Sequence, residues 1–177
     1  FRDGHPASEG IQQIDENGNL GPMNEALSAN EHVGQVVIAA GEIPPLLQNE
    51  SITFEIEGRS SDRMLSWVSM LICTNDGFTG RNRISLPRHL GQSRTAYSRA
   101  YDAGTEINTE DFADIVPPCQ IFGATSSDDE GTGMSNPALA EHQRVRRHRG
   151  IHGGNDLDPE LHGWRHSVAK IEVERIG

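Results

Sequence analysis

Apolar and polar residues alternate along several stretches of this chain, and the period is closer to two than to the three or four of a helix. From Ser51 to Gly58, Ile52, Phe54 and Ile56 alternate with Thr53, Glu55 and Glu57, which predicts a half-buried strand. QVVIAAGEI, from Gln35 to Ile43, is rich in β-branched residues and is closed by Pro44-Pro45. Leu65, Trp67 and the run Met70 to Cys73 predict a central strand that stops at a tight, oxygen-rich turn, Thr74-Asn75-Asp76-Gly77. Near the end of the sequence, RVRRHRGIH reads as an edge strand whose charge discourages edge pairing. VAKIEVERI sets Lys170, Glu172 and Glu174 against Ala169, Ile171 and Val173, a further half-buried strand.

Helical patterning is weak. Ser8 followed by Ile11 and Ile14 allows one short helical turn, and Asp15-Glu16-Asn17-Gly18-Asn19 reads as a solvated turn. Phe1 to Leu27 otherwise looks loop-like, and Arg81 to Arg99 reads as a solvated loop beside carboxylates. Asn108 to Gly133 reads as a long ordered loop with an acidic tip at Asp128, Asp129 and Glu130. Strands with Gly- and Pro-rich connections and no strand–helix alternation predict an all-β, antiparallel sandwich, a single domain over residues 1–177.

Charge narrows the partners. The 177 residues carry 26 Asp and Glu against 15 Lys and Arg, a formal net charge of −11, and Lys170 is the one lysine. Up to Glu130 there are 20 acidic and 8 basic residues, so this stretch repels nucleic acid and anionic membranes and attracts cations. No apolar run is long enough to span a bilayer, so membrane insertion is not expected.

Candidate chemistry centres on Met70 to Glu106. Asp76 ends the oxygen-rich turn, and Asp102 and Glu106 stand four residues apart around Gly104. Three hard oxygen donors from two loops suit Ca²⁺; the plainer alternative is that these carboxylates cap turns. Cys73 and Cys119 lack the C-x-x-C spacing of a zinc or redox site, and they are either a disulfide of an exported protein or two buried thiols. His142, His148, His152, His162 and His166 crowd the last 40 residues without an H-E-x-x-H arrangement, and no serine sits in a G-x-S-x-G elbow, so no enzyme is expected. Asn49-Glu50-Ser51 matches a glycosylation acceptor, a three-residue pattern that arises by chance.

MLSWVSMLICTNDGFTG (64–80), AYDAGTEINTE (100–110) and the closing GIHGGNDLD and WRHSVAKIEVERI together resemble the spondin domain, especially its bacterial and archaeal branch. The resemblance implies a C2-like β-sandwich and a calcium site formed by Asp76, Asp102 and Glu106, with Glu106 where the animal branch has aspartate. It implies a secreted or cell-surface, calcium-binding adhesion or matrix module that contacts an extracellular protein or glycan. Family members open with a strand that would precede Phe1. The chain is therefore expected to lack that strand and to leave an open sheet edge for self-association, with a filament or surface-layer subunit as the alternative role.

Overall fold

The computed structural model describes residues 1–39, 43, 50–117, 119, 131 and 134–177. Residues 44–49, some of QVVIAAGEI and the acidic tip at Asp128 to Glu130 lie outside the described residues.

Two helices open the chain. Helix α1, Glu9–Asn17, starts at Ser8, whose hydroxyl accepts the Ile11 N–H, and ends at Gly18 with φ +65°. There the Gly18 and Asn19 amides bond back to the Ile14 and Gln13 carbonyls, closing the orphan acceptors of the last turn. Ile11, Ile14 and Asp15, at i, i+3 and i+4, form its buried face. Helix α2, Gly21–Ser28, begins with Pro22 in its first turn and crosses α1 at Gly10, where a Cβ would come within 2.9 Å of the Met23 backbone.

Strands β1 (Met64–Met70), β2 (Gly77–Ser85), β4 (Ala100–Asp102) and β5 (Arg146–Arg147) form one sheet in the order β1-β2-β4-β5. Strands β3 (Ser93–Ser98) and β6 (Ala169–Glu174) form a second, two-stranded sheet. Every ladder among the described residues is antiparallel. Beneath the first sheet, Ile11, Phe78, Ala103 and Val145 form one apolar cluster, against which the Phe1, Phe78 and Tyr101 rings pack with centroids 4.9–5.5 Å apart. A second cluster gathers Phe112, Ile115, Val116, Ile151 and Leu157 around Cys73 and Cys119.

The all-β, C2-like sandwich expected from the strand pattern is not what forms. The chain is mixed α and β: two capped helices pack together, and the two small sheets do not close face to face. Residues 51–58 are outside any strand, and Phe54 and Ile56 are 43% and 38% exposed. Alternation alone did not make a strand there because no strand among the described residues pairs with it. Arg81 to Arg99, expected as a loop, instead contains the outer half of β2 and all of β3. The sandwich carried the spondin-type picture of adhesion and edge-to-edge assembly, and that picture loses its structural basis here.

Candidate metal centre

Strand register gathers the carboxylates. Asp76 immediately precedes β2, Asp102 ends β4, and the ladder pairs Gly77 with Asp102. One step further, the Ala103 N–H donates to the Asp76 carbonyl at 3.1 Å, so Asp76 lies abreast of the β4 end. On the other side of β4, Asp102 pairs with Arg146 of β5. The chain after β4 is held in the same region, because Glu141 N–H donates to the Thr105 carbonyl at 3.0 Å and Glu106 bridges to Ala140. Gly104, at φ +71°, makes the turn; a Cβ there would stand 2.8 Å from the Arg144 amide nitrogen. As a result one carboxylate oxygen from each of Asp76, Asp102 and Glu141 lies within 4.8 Å of the other two.

Each residue of the Thr74-Asn75-Asp76 turn does a separate job. Thr74 closes its own turn: its hydroxyl donates to the Leu71 carbonyl at 2.6 Å and accepts the Gly77 N–H at 2.9 Å. Asn75 reaches across to accept the Thr109 N–H at 3.1 Å and to donate to the Thr109 hydroxyl. Asp76 Oδ2 accepts the N–H groups of Thr105 at 2.8 Å and Glu106 at 3.1 Å. Asp76 Oδ1, on a residue with no exposed surface, has no hydrogen-bond partner.

The remaining donors are unevenly distributed. Asp102 Oδ1 accepts the Gly104 N–H at 2.9 Å, while its Oδ2 faces Asn108 Nδ2 and Arg146 Nη2, each at 3.0 Å. The same Arg146 Nη2 is 2.7 Å from Glu141 Oε2. Glu106, 3% exposed, accepts the Asn136 N–H at 2.9 Å. From α1, Asp15 is fully buried with neither carboxylate oxygen hydrogen-bonded.

Electrostatics follow from this imbalance. Burial, reinforced by the charge of Asp102 and opposed by the Glu106 and Thr105 amides, pushes Asp76 up to about 7. Burial, then the charge of Asp76, pushes Asp15 up to about 9. Burial also raises Glu106 to about 7, against the pull of its Asn136 bond and with Glu16 and Asp76 adding repulsion. Asp102 is raised by burial too, with the Arg146 guanidinium pulling the other way. One guanidinium thus serves a group of acids that removal from water makes reluctant to ionise together. Such a group takes up protons or a hard cation, for which oxygen donors are the appropriate ligands.

The second group of potential ligands is Cys73, Cys119 and His162, whose donor atoms also lie within 4.8 Å of one another. Cys73 and Cys119 form a disulfide, with Cα atoms 5.0 Å apart, which resolves the two alternatives left by the sequence. The bonded sulfurs offer no thiolate to a metal.

Of the three residues expected to bind calcium, Asp76 and Asp102 stand together. Glu106 is buried nearby and is charge-coupled to Asp76, but the third member of the close group is Glu141. Arg146 sits among them in the basic segment expected as an edge strand, and β5 is indeed the last strand of its sheet. Asp15, read from the sequence as belonging to a solvated turn, was detectable: it shares the i, i+3, i+4 face of Ile11 and Ile14, where a carboxylate is out of place. Glu141 and Arg146 carry no such signal, since long-range backbone pairing brings them to Asp102: the β4–β5 register for Arg146, and the bond of Glu141 to the Thr105 carbonyl for Glu141.

No protein-family model matches the chain, and no curated protein matches it. The resemblance to the spondin domain is therefore corrected on two grounds, the mixed fold and the absence of a family match. The cation reading rests on the carboxylates themselves. No helix among the described residues is long and apolar enough to cross a membrane, and the disulfide is consistent with a compartment outside the reducing cytosol.

Proposed function

We propose that the group Asp76, Asp102 and Glu141, backed by Asp15, holds a hard divalent cation, calcium foremost, as a structural staple. The observation that carries this reading is Asp76 Oδ1, a fully buried carboxylate oxygen with no partner among the described residues, in a group where three carboxylates stand beside the Arg146 guanidinium. Oxygen-only donors disfavour soft metals and favour Ca²⁺ or Mg²⁺. A cluster whose spacing is set by strand ends and a loop suits the looser geometry of Ca²⁺ better than the strict octahedron of Mg²⁺.

The staple would fasten the turn before β2, the end of β4 and the 102–106 turn, with α1 behind them. The chain is then a non-enzymatic module of an exported protein, presenting its acidic surface to a protein or glycan partner. Support for export comes from the disulfide, and support for a cation role from the net charge of −11. Calorimetric titration of the metal-free protein with CaCl₂ tests the cation: one binding event, lost in Asp76→Asn, is expected. Equal heats from parent and variant, or no heat from the parent, would remove the reading.

A further inference from the structure

We infer that Cys73, Cys119 and His162 form a redox-gated site for a thiophilic divalent metal, Zn²⁺ by its chemistry, distinct from the carboxylate site. When the disulfide is intact the site is closed; when it is reduced, two thiolates and one imidazole face a common point.

Three separated segments converge there. Cys73 lies in the buried turn after β1, Cys119 follows the 3₁₀ turn Phe112–Asp114, and His162 belongs to the turn at 158–163. All three side chains are buried, His162 at 7% exposure, and their donor atoms lie within 4.8 Å of one another. The disulfide alone accounts for the nearness of the sulfurs. It does not account for the histidine.

His162 is held as a metal-binding imidazole is held. The Asp158 N–H donates to Nδ1 at 2.9 Å, and the Asp158 carbonyl lies 3.2 Å from the same nitrogen. The His162 N–H in turn donates to that carbonyl at 2.7 Å, and the Phe112 ring packs edge-on against the imidazole at 6.3 Å. Backbone therefore engages Nδ1 whichever tautomer is present. Nε2 is buried with no hydrogen-bond partner, which is costly in an apolar core. While Nδ1 accepts the Asp158 N–H the proton sits on Nε2; metal at Nε2 requires the other tautomer, in which Nδ1 gives up that bond and donates to the Asp158 carbonyl, the usual backbone support of a ligating histidine.

Two sulfurs and one nitrogen are a borderline-soft set that selects Zn²⁺ over Ca²⁺ or Mg²⁺, and water fills the fourth tetrahedral position. The chemistry balances with a phosphine as reductant. The phosphine takes the oxygen of one water molecule and leaves as its oxide, the S–S bond breaks, and each sulfur receives one of the two protons of that water. Zn²⁺ then displaces both thiol protons to solvent and binds the thiolates. Metal would thus replace the covalent link between the segments of Cys73 and Cys119 and add the 158–163 turn to it.

The test reduces the protein anaerobically with a water-soluble phosphine, removes the phosphine, and titrates with Co²⁺ while recording absorbance. One equivalent of Co²⁺ is expected to give thiolate-to-cobalt charge-transfer bands and the intense visible bands of a tetrahedral ion, both bleached by Zn²⁺. The oxidised protein should show neither, because Co²⁺ on the carboxylates lacks sulfur. His162→Ala should weaken binding by more than the roughly 10–100-fold that loss of an outer-shell partner costs. Absence of thiolate bands in the reduced protein, or equal affinity in His162→Ala, overturns the site. Near-ultraviolet circular dichroism is followed alongside: a reduced chain that loses its tertiary signal and does not regain it with Zn²⁺ overturns it as well.

Discussion

Arg146 Nη2 lies 3.0 Å from the carboxylate of Asp102, its register partner across β4 and β5. The same nitrogen reaches Glu141 at 2.7 Å, so one side chain supplies the positive charge of the acidic centre. Burial works against this guanidinium, yet the Glu141 hydrogen bond and the Asp102 charge raise its pKa further. It is an internal counter-ion, and an added cation would share its task.

Replacing that counter-ion separates the two. Arg146→Gln should destabilise the metal-free protein by roughly 1.5–3 kcal/mol, the range for losing a hydrogen bond to a charged group. It should also tighten Ca²⁺ binding, because the same acids then lack their competitor. Urea melts with and without Ca²⁺ measure both effects; a variant whose Ca²⁺ affinity falls would show that Arg146 helps to build the site instead of competing for it.

Asp76→Asn tests the orphan oxygen directly. The amide oxygen can still accept the Thr105 and Glu106 N–H groups, so the 102–106 turn is kept while the charge is lost. In EDTA at neutral pH the variant should melt no lower than the parent. In Ca²⁺ it should lose the parent's gain, which is about 2.7 kcal/mol when the free ion stands at one hundred times its Kd. Unchanged calcium stabilisation in the variant would move the ion away from Asp76.

The pH dependence of the metal-free protein has a definite sign. Asp76 and Asp15 rise from an ordinary 3.8 to about 7 and about 9, and Glu106 from 4.5 to about 7. Groups raised on folding bind more protons in the native state. Their stabilisation is therefore complete below about pH 4 and is lost as pH climbs through the native values. The groups facing them are Asp102, Glu141, Glu16 and Asp114, all acidic, with Arg146 as the opposing charge. In EDTA the melting temperature should fall between pH 4 and pH 9, and in Ca²⁺ the fall should flatten. A melting temperature that climbs over that interval in EDTA would contradict the assignment.

Glu110 anchors a different loop. Its carboxylate accepts the His152 and Gly154 amides at 2.6 and 2.9 Å, its carbonyl accepts those of Asp156 and Leu157, and its backbone sits at φ +59°. Glu110→Ala should cost roughly 1.5–3 kcal/mol through the loss of two amide hydrogen bonds to its carboxylate. Amide exchange at His152 and Gly154 should accelerate while exchange in β1 stays unchanged; uniform acceleration would indicate global loss of stability instead.

Legibility from the sequence was uneven, for physical reasons. In β6 the alternation was decisive, because one side of the strand is partly covered and the other is wet: Ala169, Ile171 and Val173 are half-buried, and Lys170, Glu172 and Glu174 exposed. The same alternation misled at Ile52, Phe54 and Ile56, since period-two patterning states only that a strand could bury one side. β3, SRTAYS, was invisible because most of its side chains are exposed and it carries no apolar stripe. α1 was half legible, with its Ser8 cap and Ile11 and Ile14 in plain view, but Asp15 on the same face was assigned to water. At the acidic centre, Asp76 and Asp102 could be found because each lies beside local punctuation, Gly77 after Asp76 and Gly104 after Asp102. Glu141 and Arg146 are contributed by a long-range register that no local window contains.

Among the described residues β6 pairs with β3 alone, and this also bears on how the molecule would respond to force. The ladder runs from Ser93–Glu174 to Ser98–Ala169 and is continued by backbone bonds from Arg175 to Gly91 and Gln92, so tension applied beyond Arg175 loads that outer end first. Rungs then break in succession, as a zipper opens, instead of shearing together. The strand can peel away without stretching the β2–β4–β5 ladders that hold the acidic centre or the disulfide between Cys73 and Cys119. The smaller sheet would act as a mechanical fuse, yielding at low load while the stapled region of the fold stays intact.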